Sequence, residues 1–172
     1  NGMTSLKENK DIPALIKIAS DLFPIYRCLI GPGVNETLKY LKKIYPELNI
    51  KKIKSGTKVF DWKIPPEWNV KTAYIKNKKG EKVIDFKRNN LHLISYSEPI
   101  KKKIKVSNFI SRVHSLPNQK NYIPYLTSYY KKYWGFCINH NLKKKIFSNR
   151  NEKFLINIES KFNKKGKMHY GE

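Results

Sequence analysis

Arginine is scarce in this chain: Arg27, Arg88, Arg112 and Arg150 are the four among 36 basic residues, set against 13 acidic ones. Base-edge reading and bidentate phosphate clamping favour arginine, so the formal charge of +23 does not by itself point to nucleic acid. Cysteine is scarcer still. Cys28 and Cys137 stand apart with no C-x-x-C spacing, which excludes a disulfide framework or zinc knuckle and leaves reduced thiols. No apolar run approaches the roughly 18 to 20 residues of a membrane span, and the opening Asn1-Gly-Met-Thr-Ser-Leu6 has no apolar signal core. A cytoplasmic protein with no membrane partner is expected. The phosphate-binding loop, the dinucleotide glycine signature and the nucleophile elbow are also missing.

The four histidines, His92, His114, His140 and His169, form no local metal-ligand pattern with one another, with cysteine or with carboxylates. Cys137 precedes His140 by three positions, which raises a nucleophile reading. A cysteine between Phe136 and Ile138 is better read as a small buried apolar residue. The 13 acidic residues are dispersed and define no acid and base pair.

What is present is a core-sized hydrophobic fraction, 40% of 172 residues, enough for one ordinary domain or a small domain with a piece of another. Lysines are spread over every segment, densest at Lys101-Lys-Lys-Ile-Lys105 and Lys143-Lys-Lys145, and read as a solvated surface. The outstanding segment is Ile123 to His140, in which Tyr125, Tyr129, Tyr130, Tyr133, Trp134 and Phe136 fall within twelve positions. Such density suits a packed wall, a lined cleft or a stacking platform.

The periodicity predicts two opening helices. Asp11 caps the first, with Pro13 in its first turn and Ile12, Leu15, Ile16, Ala19 and Leu22 on one face; the second opens at Gly33 or Asn35 and carries Leu38, Leu41 and Ile44. From residue 48 strand character dominates. Thr57 to Trp62 is extended, Thr72–Ile75 and Lys82–Phe86 flank an Asn77–Gly80 turn as a hairpin, and Leu91–Tyr96 continues as strand. A short helix over 106–113 with Ser107 as cap follows, and Lys153–Ile158 with Lys167–Tyr170 reads as a last hairpin.

Segments Leu22 to Leu38, Ser55 to Trp62, Asn89 to His92, His114 to Pro117, and Pro124 to Tyr130 with Trp134 to Cys137 occur in one order along the chain. Together they resemble the N-terminal part of bacterial aminopeptidase-like proteins, which are similar to co-catalytic zinc aminopeptidases. The resemblance implies an α+β chain. Its two N-terminal helices (1–48) belong to a split α/β zinc-peptidase-like domain, an inserted, mainly β domain of unknown function with one or two short helices follows (49–162), and 163–172 return toward the peptidase sheet. It also implies that the zinc ligands and general base lie in sequence not represented here, so no cofactor and no catalytic or metal residue is assigned.

The chain is therefore expected to be a non-catalytic N-terminal fragment whose inserted domain shapes access to a zinc site supplied elsewhere. Its expected partners are the remainder of the peptidase domain and a second copy of itself in a homo-oligomer. His114, Tyr125, Tyr129, Tyr130 and Trp134 are the candidate cleft-lining or substrate-contact residues. Without a cover, the apolar faces of both helices should be exposed. The competing reading is a basic binding module for single-stranded nucleic acid or an anionic glycan, built on the lysines and on Tyr129 and Trp134.

Overall fold

The computed structural model describes residues 11–172. Helix α1 (Asp11–Leu22) forms where the apolar spacing predicts it and gives way to a turn at Phe23–Pro24. The side chain of Asp11, its expected cap, lies outside the described residues. Helix α2 (Pro32–Ile44) starts earlier than expected, with Gly31 as its cap residue and Pro32 in its first turn. Proline is preorganised for that place, where its missing N–H is no loss. The Asp21 carboxylate joins the two helices, accepting the Tyr40 hydroxyl at 2.7 Å and the Lys17 ammonium at 3.0 Å.

After α2 come β1 (Ile50–Lys54), β2 (Lys58–Val59), β3 (Trp62–Lys63), β4 (Glu67–Lys76), β5 (Lys82–Asp85) and β6 (Ile100–Lys105). Then follow α3 (Val106–Phe109), β7 (Val113–His114), β8 (Phe136–Cys137), α4 (His140–Ile146), β9 (Lys153–Asn163) and β10 (Lys167–Gly171). The content is mixed helix and strand, consistent with the α+β expectation. Among the described residues no helix is long and apolar enough to cross a membrane.

The main sheet is antiparallel, in the order β5-β4-β9-β6. One face supplies Trp68, Ala73, Ile75, Ile84, Phe154, Ile156 and Ile158 to a core shared with Phe109, Phe136, Ile138 and Phe147. Burying each such large side chain contributes about 1.5–3 kcal/mol. The β4–β5 hairpin is the expected one. Gly80 takes a φ of +83°, and the Asn77 side chain accepts the Lys79 and Glu81 amides to close the turn. The lysine cluster 101–105 lies on β6, an edge strand that the sequence reading did not identify. Exposed charge at a sheet edge discourages pairing with another chain.

Three expectations are corrected. β10 does not pair with β9 but with β1, from Ile50↔Gly171 to Lys54↔Lys167. A turn at Asn163–Gly166 is present, yet both sides of β9 are already occupied by β4 and β6, so the returning strand finds no free edge there. Leu91–Tyr96 is not a strand: a 3-10 turn at Asn90–His92, capped by the Asn89 side chain, leads into irregular backbone. Ser107 does not cap α3. Lys105 holds that position, and the Ser107 hydroxyl bonds to Asn108.

The two helices differ in cover. Ile12, Leu15 and Ile16 of α1 remain exposed, as expected. α2 departs from the expectation: it packs on β10, and Leu38 is half-buried close to Gly171.

Candidate functional site

The segment Ile94–Ser97 is irregular and almost wholly buried. Tyr96 within it has a φ of +65°, a left-handed conformation that costs a bulky residue about 1–3 kcal/mol unless its surroundings impose it. They do. The Ser97 hydroxyl donates to the Ile94 carbonyl at 2.6 Å. The Ser128 amide and hydroxyl both donate to the Ser95 carbonyl, at 3.0 and 3.1 Å. The Trp68 indole and the Ser160 hydroxyl donate to the Ser97 carbonyl, at 3.0 and 2.8 Å.

So held, the Tyr96 ring lies over Trp68 with centroids 5.9 Å apart and planes 17° apart. Burial pushes its hydroxyl well above the usual phenol range. Tyr96 forms the floor of a cleft of about 340 Å³. Tyr129 and Phe162 stand against it, 5.7 and 6.2 Å away between centroids, and Tyr130 packs on Tyr129 at 4.0 Å. Tyr130 is 78% exposed. Lys131, Lys132 and Lys164 also line the cleft, with Glu98 as its one carboxylate. The adjacent Tyr130 hydroxyl raises the Tyr129 hydroxyl above its ordinary pKa.

Of the residues expected from sequence, the structure brings Tyr129 and Tyr130 together in this cleft. His114 and Trp134 belong to a different cluster. The Arg112 guanidinium lies 4.8 Å from the ring centroids of both Tyr133 and Trp134 and donates to the Trp134 carbonyl at 3.2 Å, while His114 Nε2 meets the Tyr133 hydroxyl at 2.9 Å. Tyr125 is exposed and does not line the cleft. Tyr96, Phe162 and Lys164 were missed because they come from distant parts of the chain. Lys131 and Lys132, inside the aromatic run, were the available signal.

No acid and base pair or nucleophile converges here. Burial raises the thiol pKa of Cys28 to about 11 and that of Cys137 to about 12, so both stay protonated. His140 does not face Cys137; its Nδ1 meets the Ser115 hydroxyl at 2.9 Å. His92 Nδ1 meets the Cys137 carbonyl at 2.8 Å, and burial lowers the pKa of His92. Among the described residues no three His, Cys, Asp or Glu side chains come together. The zinc that the resemblance implies therefore has no fitting ligand set in residues 11–172. What the cleft offers is aromatic surface and ammonium groups, which suit binding.

Residues 67–161 match the family model described as "Domain of unknown function (DUF2172)". A curated protein of Clostridium acetobutylicum, named "Putative polysaccharide biosynthesis protein with aminopeptidase-like domain", is 45% identical over 158 residues, covering 92% of this chain and 35% of that protein. A crystal structure from the same organism, described as a "putative peptidase", is similar with a TM-score of 0.84 at 43% identity, covering 92% of this chain and 36% of the other. The chain thus spans roughly a third of the length of these relatives.

Proposed function

The chain belongs to the family of this domain of unknown function, and from that premise we propose that it is the N-terminal helices and inserted domain of an aminopeptidase-like protein. In this reading it is non-catalytic by itself and shapes access to a zinc site that the rest of such a protein supplies.

The observation that carries the reading is the neck. Asn49 and Glu172 exchange both backbone hydrogen bonds, at 2.7 and 3.0 Å, and β1 and β10 continue from them as one antiparallel ribbon. An inserted domain must leave its host and return to it at neighbouring points, and the pairing of 49–54 with 167–172 supports that reading. The boundary proposed after 48 lies at the open end of this ribbon, beside Asn49 and Glu172, whereas 163 lies at its inner end, where β9 turns into β10. The Lys51 ammonium and Glu172 carboxylate pair across the ribbon.

The exposed apolar face of α1, Ile12, Leu15 and Ile16, with Phe23 beyond it, is the surface the remaining peptidase domain would cover. The Tyr129–Tyr130 cleft is the wall past which substrate moves. Any zinc chemistry belongs to residues outside this chain, and no step is assigned to its own histidines.

The test is an assay of this polypeptide with aminoacyl substrates and zinc, with and without a chelator. No chelator-sensitive hydrolysis is expected. Zinc-dependent turnover by these 172 residues alone would overturn the proposal.

A further inference from the structure

Lys164 and Pro66 of the aromatic cleft also border a second depression. It measures about 440 Å³ and lies between Ser55, Gly56, Lys63 and Ile64. The two are neighbours that share Pro66 and Lys164, the rings lining the first and Ser55, beside the end of β1, the second. The Ser55 hydroxyl is buried and has no hydrogen-bond partner, although its amide donates to the Gly166 carbonyl at 2.9 Å. Orphaned buried polar atoms are rare in folded proteins. Lys131, Lys132 and Lys164 line the first depression, Lys63 and Lys164 the second, and Glu98 is the one carboxylate in either lining.

We propose that the two depressions together bind a linear acidic polysaccharide, with sugar faces on the Tyr129–Tyr130 and Phe162 rings and acidic groups at the lysines. The chain of sugars runs past Lys164 toward Ser55. Tyrosine suits such a ligand because it offers an apolar face and a hydroxyl together. A ligand filling both depressions would have to pass Pro66 and Lys164, which suits a linear polymer. Single-stranded nucleic acid is disfavoured because none of the four arginines lines either depression. The proposal rests on the cleft reading above for its location, and not on the insertion.

The experiment is calorimetric titration of the whole polypeptide at low salt with hexagalacturonate, galacturonate, neutral maltohexaose and oligothymidylate. Hexagalacturonate should bind, more tightly than the other three, and weaken with salt as exposed charge pairs do. Tyr130→Ala should weaken it about tenfold, the upper range for a lost aromatic contact. Lys164→Gln should weaken the hexamer about fivefold, the upper range for an exposed ion pair, and leave the monomer unchanged. Both side chains are exposed, so neither change threatens the fold. Lys103→Gln, on the far edge strand, should have no effect.

Absence of hexagalacturonate binding, oligothymidylate binding as tight as hexagalacturonate, or an equal loss from Lys103→Gln would overturn the proposal. Each of these outcomes leaves the insertion reading standing, because that reading is decided by the hydrolysis assay.

Discussion

The hydroxyl of Tyr96 accepts the backbone N–H of Ile30 at 3.2 Å, across 66 positions of sequence. The cleft floor is thereby tied to the loop that opens α2. Tyr96→Phe keeps the ring and its stacking on Trp68 but leaves the Ile30 amide buried without a partner. A loss of about 1–3 kcal/mol is expected. Urea unfolding should show a lower midpoint with an unchanged slope, since the surface exposed on unfolding is the same.

Phe60 sits between β2 and β3 with a φ of +53° and its side chain 93% exposed. It bears left-handed backbone strain and gains almost no burial. Asparagine tolerates that conformation far better. Phe60→Asn should stabilise the chain by about 0.5–1 kcal/mol, measured as a rise in thermal midpoint. A fall would mean that the ring makes a contact worth more than the strain.

Stability should have a window in pH. Cys28 and Cys137 have folded pKa values raised by burial to about 11 and about 12, from an ordinary value of 9.0. Above that ordinary value the unfolded chain loses these protons first, so the thiols' stabilising contribution is lost as pH rises toward the folded values. His92 and His114 shift the other way. Burial lowers both below 6.5, with Lys143 adding to the effect on His114, so the unfolded chain takes up protons first as pH falls through that value. Chemical unfolding across a pH series should therefore be hardest between about 6.5 and 9. Neither thiol should react with a maleimide near neutral pH until the chain is unfolded.

Gly135 lies in the aromatic run where there is no space for a side chain. A Cβ there would stand 2.7 Å from Ile94 Cδ1 and 2.8 Å from the Arg112 carbonyl oxygen. Gly135→Ala should destabilise by about 1–3 kcal/mol through overpacking. It should also disturb the Arg112 cluster more than the cleft, which tyrosine and tryptophan fluorescence can separate.

The exposed face of α1 predicts self-association. Leu15 is 61% exposed, so Leu15→Glu removes little native packing. Light scattering should show less concentration-dependent association, with a thermal midpoint unchanged within about 0.5 kcal/mol of stability.

The elements legible in the sequence were those with local causes. Asn77 and Gly80 dictate their turn wherever the strands lie, the 12, 15, 16 spacing marks a helix, and a cysteine between Phe136 and Ile138 is expected to be buried. The ordered segments from Leu22 to Cys137 also pointed to the aminopeptidase-like relatives that the comparisons found. The cleft was half legible: Tyr129 and Tyr130 advertised themselves as neighbours, while Tyr96 and Phe162 carry no mark that they meet them.

Sequence by itself determined that this chain builds a lysine-rich α+β body with no disulfide framework and a dense aromatic segment, because composition, periodicity and turn chemistry act over a few residues. Tertiary structure alone decided that β10 closes on β1, that Tyr96 is forced left-handed beneath Tyr129, and that Lys164 borders two depressions. These depend on which strand edges are already taken and on contacts between distant segments, where the cost of chain closure is repaid only by the completed core.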